Sequence, residues 1–120
     1  MKKIEWILRI GVFGTFLGHG LLATSIQPNW INYLNTVGFP DDMAIKVMPV
    51  IGAIDILIAI TVLIRPLKPV VMYATLWAFL TALMRPVSGE PILEFVERAA
   101  NWAVPLALYV LLYKRNAADN

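Results

Sequence analysis

The chain contains no cysteine, which excludes internal disulfides, thiolate-held zinc, iron–sulfur clusters and any dithiol redox relay. It has one histidine, too few for a bis-histidine haem or a closed metal site within one copy, so no metal centre is expected. Charge is scarce as well. Asp, Glu, Lys and Arg make up 15% of the 120 residues, where about 25% is usual in a soluble domain. A water-soluble globule of this size has a large surface to solvate and needs more charge than that. The formal net charge of +2 gives no footprint for nucleic acid. What is abundant is apolar: 59% of residues, against about 45–50% in ordinary domains. The first partner of this chain is a lipid bilayer.

Four apolar stretches approach the ~20 residues that a bilayer-crossing helix requires. They cover residues 4–26, 44–64, 69–84 and 92–113, with residues 27–42 forming an outer interfacial segment. Lipid offers no hydrogen-bond partner, so each span must satisfy its own backbone. The expected fold is all-α, an integral membrane four-helix bundle forming one transmembrane domain. The third stretch is short, about 24 Å at 1.5 Å per residue, and is expected to reach into the headgroup region.

Lys2 and Lys3 before an apolar run resemble a signal peptide, but Arg9 and His19 interrupt that run and favour a retained helix. Orientation follows from the Lys/Arg bias of the short loops. Lys2, Lys3, Arg65, Lys68, Lys114 and Arg115 fall on one side, and Lys46 and Arg85 on the other. That bias places both termini in the cytoplasm, and in a bacterial inner membrane the first and third loops then face the periplasm. Trp30 and Tyr33 in the first loop suit a short helix lying on the outer surface.

Ionisable groups in hydrocarbon are costly and demand a partner or a purpose. Glu94, Glu97, Arg98 and Asn101 fall at i, i+3, i+4 and i+7 and would share one helix face. Arg98 lies about 9 Å and His19 about 10 Å below the outer edge by helical rise, and Arg85 ends the third span. His19, Arg85, Glu94, Glu97, Arg98 and Asn101 are therefore expected to enclose one polar cavity in the outer half of the bundle. A structural ion network, a small-molecule or quinone-headgroup site and an ion path all remain open for that layer. Deeper, Asp55 is expected to pair with Arg9, the alternative being a lone protonated acid. His19 reads as a structural or ligand hydrogen-bonding group, and haem ligation would need a second copy or a partner subunit.

Small residues suggest helix contacts. Gly14 and Gly18 make a GxxxG on the first helix, and Thr75, Ala78 and Ala82 form a stripe on the third. Pro105 is expected to kink the fourth helix just below Asn101. The chain has no Gly-rich phosphate loop, no Ser–His–Asp spacing and no paired His ligands, so no autonomous active site is evident.

Three segments together resemble the DoxX-like family of small four-helix bacterial membrane proteins. They are Arg9-Ile10-Gly11 through Gly18-His19-Gly20, Pro49 through Gly52 to Asp55, and Glu97-Arg98 with Asn101. In that family a Gly on the second helix is commonly followed three residues on by an acid, often Glu; here it is Asp55. The segment from Arg85 to Glu90 lies outside the family pattern. The resemblance implies association with quinone-linked redox systems, including the membrane subunit of a thiosulfate:quinone oxidoreductase, and with oxidative-stress complexes. The leading expectation is an accessory or anchor subunit linked to quinone chemistry, within a membrane complex or a homo-oligomer. A small transporter or proton-conducting bundle, or a structural assembly factor, are the alternatives.

Overall fold

A computed structural model describes the backbone of residues 2–119 and the side chains of residues 2–114, so the side chain of Arg115 lies outside it. Every element among these residues is helical: α1 (Lys2–Thr24), α2 (Pro28–Thr36), α3 (Asp41–Ile64), α4 (Lys68–Val87), α5 (Ile92–Glu97) and α6 (Ala99–Asp119). Four spans are long and apolar enough to cross a membrane, the last running through α5 into α6. The third span has 20 residues, longer than its apolar core suggests, because Lys68 and Pro69 supply its first turn and Pro86 is carried in its last. Apolar side chains on the outside confirm an inside-out pattern: Ile7 is 68% and Leu57 65% exposed. In water that surface would aggregate; in hydrocarbon it is the solvated face.

Packing follows a ring rather than the chain order. α3 lies against α1, α1 against α6, and α6 against α4, while α3 and α4 meet only lightly. The inner half is filled by Val12, Ile58, Ala59, Val62, Val71, Ala74, Leu108 and Leu112, all buried. The register of α1 on α3 is set where two glycines meet. A Cβ built on Gly52 would stand 2.7 Å from the Gly20 carbonyl oxygen, and one built on Gly20 would stand 2.8 Å from that of Gly52. Only glycine permits this approach. Gly14 and Gly18, by contrast, have nothing within 4 Å of an added Cβ. The expected GxxxG contact is thus corrected: that motif faces outward, and the close contact falls two residues beyond it, at Gly20. The Thr75, Ala78 and Ala82 stripe is buried, as a packing face should be.

The fourth span is interrupted above Asn101, between α5 and α6. The interruption falls at Arg98, whose N–H bonds back to Phe95 O at 3.1 Å while its own carbonyl accepts from Asn101 N–H at 3.0 Å. Its guanidinium donates to the Glu94 carbonyl at 3.0 Å and the Glu94 carboxylate at 2.8 Å. The side chain thereby satisfies a carbonyl of the terminating turn, an otherwise orphaned acceptor. Pro105 sits buried inside α6.

Candidate functional site

The turn after α1 decides where α2 lies. Thr24 and Ser25 hydroxyls both donate to the Leu21 carbonyl, and Ile26 then takes φ 57°, a left-handed conformation that costs a β-branched residue about 1–2 kcal/mol. Gln27 N–H donates to Met48 Sδ at 3.3 Å, tying the turn to α3. Pro28 opens α2 at a position where an N–H would have no intrahelical partner, so proline's lack of one costs nothing. The helix ends before Gly38, whose φ of 105° only glycine adopts readily. α2 is fastened at its far side by Tyr33, whose hydroxyl donates to Glu90 at 2.7 Å and whose ring lies 5.2 Å from the Arg85 guanidinium carbon. Burial, and then the bond to the Glu90 carboxylate, hold the Tyr33 phenol above its ordinary pKa of 10.0.

Beneath α2 is a cavity of about 120 Å³. Each helix gives it one stripe: Phe16, His19 and Ala23 from α1; Trp30, Tyr33 and Leu34 from α2; Met48, Ile51 and Asp55 from α3; Trp77, Ala78, Thr81 and Arg85 from α4. The spacings of three, four and seven in α1 and α3 are single helix faces, and α2 and α4 each add one adjacent residue to such a face. His19 meets Trp30 edge-on, with centroids 5.9 Å apart. Asp55 is 5% exposed; the Trp77 side chain hydrogen-bonds its carboxyl, and Oδ1 has no hydrogen-bond partner. A buried carboxylate oxygen without a partner carries its desolvation cost uncompensated. Among the described residues the other such atom is Trp102 Nε1, which belongs to a helix outside this cavity.

The expected polar layer divides. His19 and Arg85 line the cavity, and Asp55, expected elsewhere, joins them. Glu94, Glu97, Arg98 and Asn101 do not line it, which corrects the single enclosure of six residues. The break at Arg98 removes the continuous helix on which their shared face depended: Glu94 and Arg98 close on each other, Glu97 is exposed and Asn101 is half-buried. Arg98 still lies near enough for its charge to act on Tyr33.

The Arg9–Asp55 pair is also corrected. Arg9 instead lies 3.2 Å from Glu5, donates to the carbonyls of Val62 and Leu63, and stacks 3.9 Å from the Trp6 ring centroid. The glycine contact explains this. With Gly20 opposite Gly52, Arg9 falls opposite Val62, and Asp55 lies seven residues away along α3, about 10 Å by helical rise. Glu5 carried the missed signal, since Glu5–Arg9 has the same i,i+4 order as Glu94–Arg98. Trp30, Tyr33 and Trp77 had no sequence signal beyond a preference for interfaces. Among the described residues no cluster of three or more His, Asp or Glu is arranged to hold a metal ion. Compared with protein-family models, with curated proteins and with solved structures, the chain matches none.

Proposed function

We propose that this multi-pass protein binds the ring of a membrane-soluble quinone and serves as an accessory or anchor subunit of a quinone-linked redox system. The proposal places it in a bacterial inner membrane with both termini cytoplasmic, on the charge bias of its loops. The observation that carries the reading is the unpartnered Asp55 oxygen in a cavity that His19 and Arg85 also line. The volume of about 120 Å³ is somewhat below the roughly 150 Å³ of an apolar cavity that holds a benzene, so a substituted ring fills it and reaches beyond it. A quinone presents carbonyl acceptors at opposite edges, and the quinol presents hydroxyls. Imidazole and guanidinium N–H groups donate to the former, and a carboxylate accepts from the latter. Phe16, Trp30, Tyr33 and Trp77 supply faces and edges for ring contact. The resemblance to the DoxX-like family points the same way. A proton-conducting bundle is less well supported, since Ile58, Ala59 and Val62, between Asp55 and the buried Glu5–Arg9 pair at the inner end, are apolar.

The test uses purified protein in mild detergent with ubiquinone-0, a quinone ring without a tail. Trp30 and Trp77 line the cavity, so occupancy should quench tryptophan emission saturably. The double variant His19→Leu/Asp55→Leu should lose the saturable component, and Leu106→Ala on exposed α6 surface should keep it. Quenching that never saturates, or that is the same in all three proteins, overturns the reading.

A further inference from the structure

We propose that the seam between α3 and α4 is the route by which the ligand enters from the bilayer and the seat of its apolar tail. The proposal rests on the reading of the cavity as a quinone-ring site and adds what that ligand must look like beyond its ring. A second hollow of about 80 Å³ is lined by Ile51, Ile54, Asp55, Tyr73 and Trp77. Ile51, Asp55 and Trp77 also line the main cavity, so the two lie side by side with these three side chains between them. Ile54 is 42% and Tyr73 44% exposed, and both lie within spans, so the hollow opens on hydrocarbon.

The ring order of the helices accounts for the opening. α3 is held by α1 and α4 by α6, and neither packs closely on the other. Along α3, Asp55 is fourteen residues from Asp41, about 21 Å by helical rise, which puts it deep in the apolar layer. Trp30, Tyr33 and Leu34 lie over the outer side, with Tyr33 fastened to Glu90, and the packed apolar core closes the inner side. A molecule reaching Asp55 through the seam comes out of lipid and so carries apolar surface. The main cavity has room for about one ring, so further bulk must trail through the side hollow. The wall there suits an alkyl chain: Tyr73 and Trp77 stack with centroids 6.3 Å apart and planes 5° from parallel. The occupant is therefore an amphiphile with a one-ring hydrogen-bonding head and a linear or isoprenoid tail.

The experiment compares ubiquinone-0 with decylubiquinone, the same ring bearing a decyl tail, on wild type and on Ile54→Trp. Filling the side hollow should weaken decylubiquinone about tenfold, the worth of two buried methylenes, and leave ubiquinone-0 unchanged. Leu57→Trp, exposed on α3 but outside the hollow, should alter neither. A second measurement does not depend on the bulky variant. The chain has no cysteine, so a bimane label on Ile54→Cys is unique, and its emission should respond to the tailed probe alone. Equal affinities of both proteins for decylubiquinone, with a silent bimane, overturn the tail seat while ubiquinone-0 binding stands. Failure of wild type to bind either probe saturably overturns the ring site and the tail seat together.

Discussion

Adding one methyl group to Gly52 tests the frame on which the cavity depends. In Gly52→Ala the new Cβ meets the Gly20 carbonyl oxygen at 2.7 Å, Thr24 Cγ2 at 2.8 Å and Thr24 N at 2.9 Å. Two of these are backbone atoms of α1, so no side-chain rotation relieves them. Restoring ordinary contact at 3.4 Å requires the helices to part by about 0.7 Å. A gap of that size forfeits between a quarter and a half of the dispersion energy along the seam. Overpacking of this kind costs up to about 3 kcal/mol, and alanine's better helix propensity returns about 1 kcal/mol. The net loss is about 2 kcal/mol, or roughly thirtyfold in the folding equilibrium. Gly14→Ala and Gly18→Ala apply the same chemistry where nothing lies within 4 Å, so they should be neutral or slightly stabilising. Equilibrium unfolding in mixed detergent micelles, followed by circular dichroism, measures all three. The reasoning fails if Gly18→Ala is as destabilising as Gly52→Ala, or if Gly52→Ala is neutral.

Arg9→Leu should destabilise by about 3 kcal/mol, because it strips a buried guanidinium from Glu5 and from the last carbonyls of α3. Combined with Asp55→Asn its effect should add within about 0.5 kcal/mol in the same unfolding assay, and strong coupling would mean that the two do meet. Asp55→Leu removes a carboxylate oxygen with no partner, so the empty bundle should gain about 1–3 kcal/mol while ubiquinone-0 quenching weakens. The Tyr33 pKa is raised in the folded state, so the contribution of its protonated form is complete below the free-tyrosine value and is lost as pH rises through the higher one. Ultraviolet difference titration against Tyr33→Phe should place the phenolate midpoint above 10.0, and Glu90→Gln should lower it. A periplasm-active reporter fused after Asn120 should be silent, and strong activity would reverse the proposed orientation.

The spans were legible because lipid dictates their length and apolarity, and both are read residue by residue. Glu94–Arg98 was legible for a similar reason: its partners are one turn apart on one helix. Arg9 was not, since its partners on α3 depend on a register fixed by two glycines far apart in sequence. Composition also hid the cavity. α3 is apolar on every side, so nothing distinguishes Met48 and Ile51, which line the site, from Val50 and Leu57, which face outward. Asp55 was visible as costly, but its neighbours were not. The break at Arg98 escaped because Pro105, a few residues on, drew the expected irregularity to itself, whereas an arginine side chain ends the turn.

The lightly packed seam is the weak side of a ring whose two halves, α1 with α3 and α4 with α6, are joined by the α1–α6 contact and by the short turn at residues 65–67. Of the spans that neighbour one another around the ring, α3 and α4, adjacent in sequence, are the least engaged, and the cavity lies between their halves. Anything lodged against Asp55 and Trp77 touches both halves at once and adds to the few contacts that already join α3 and α4. Such a guest acts as a keystone. Its binding free energy adds directly to the resistance of the assembled bundle to unfolding, by RT ln(1 + [L]/Kd).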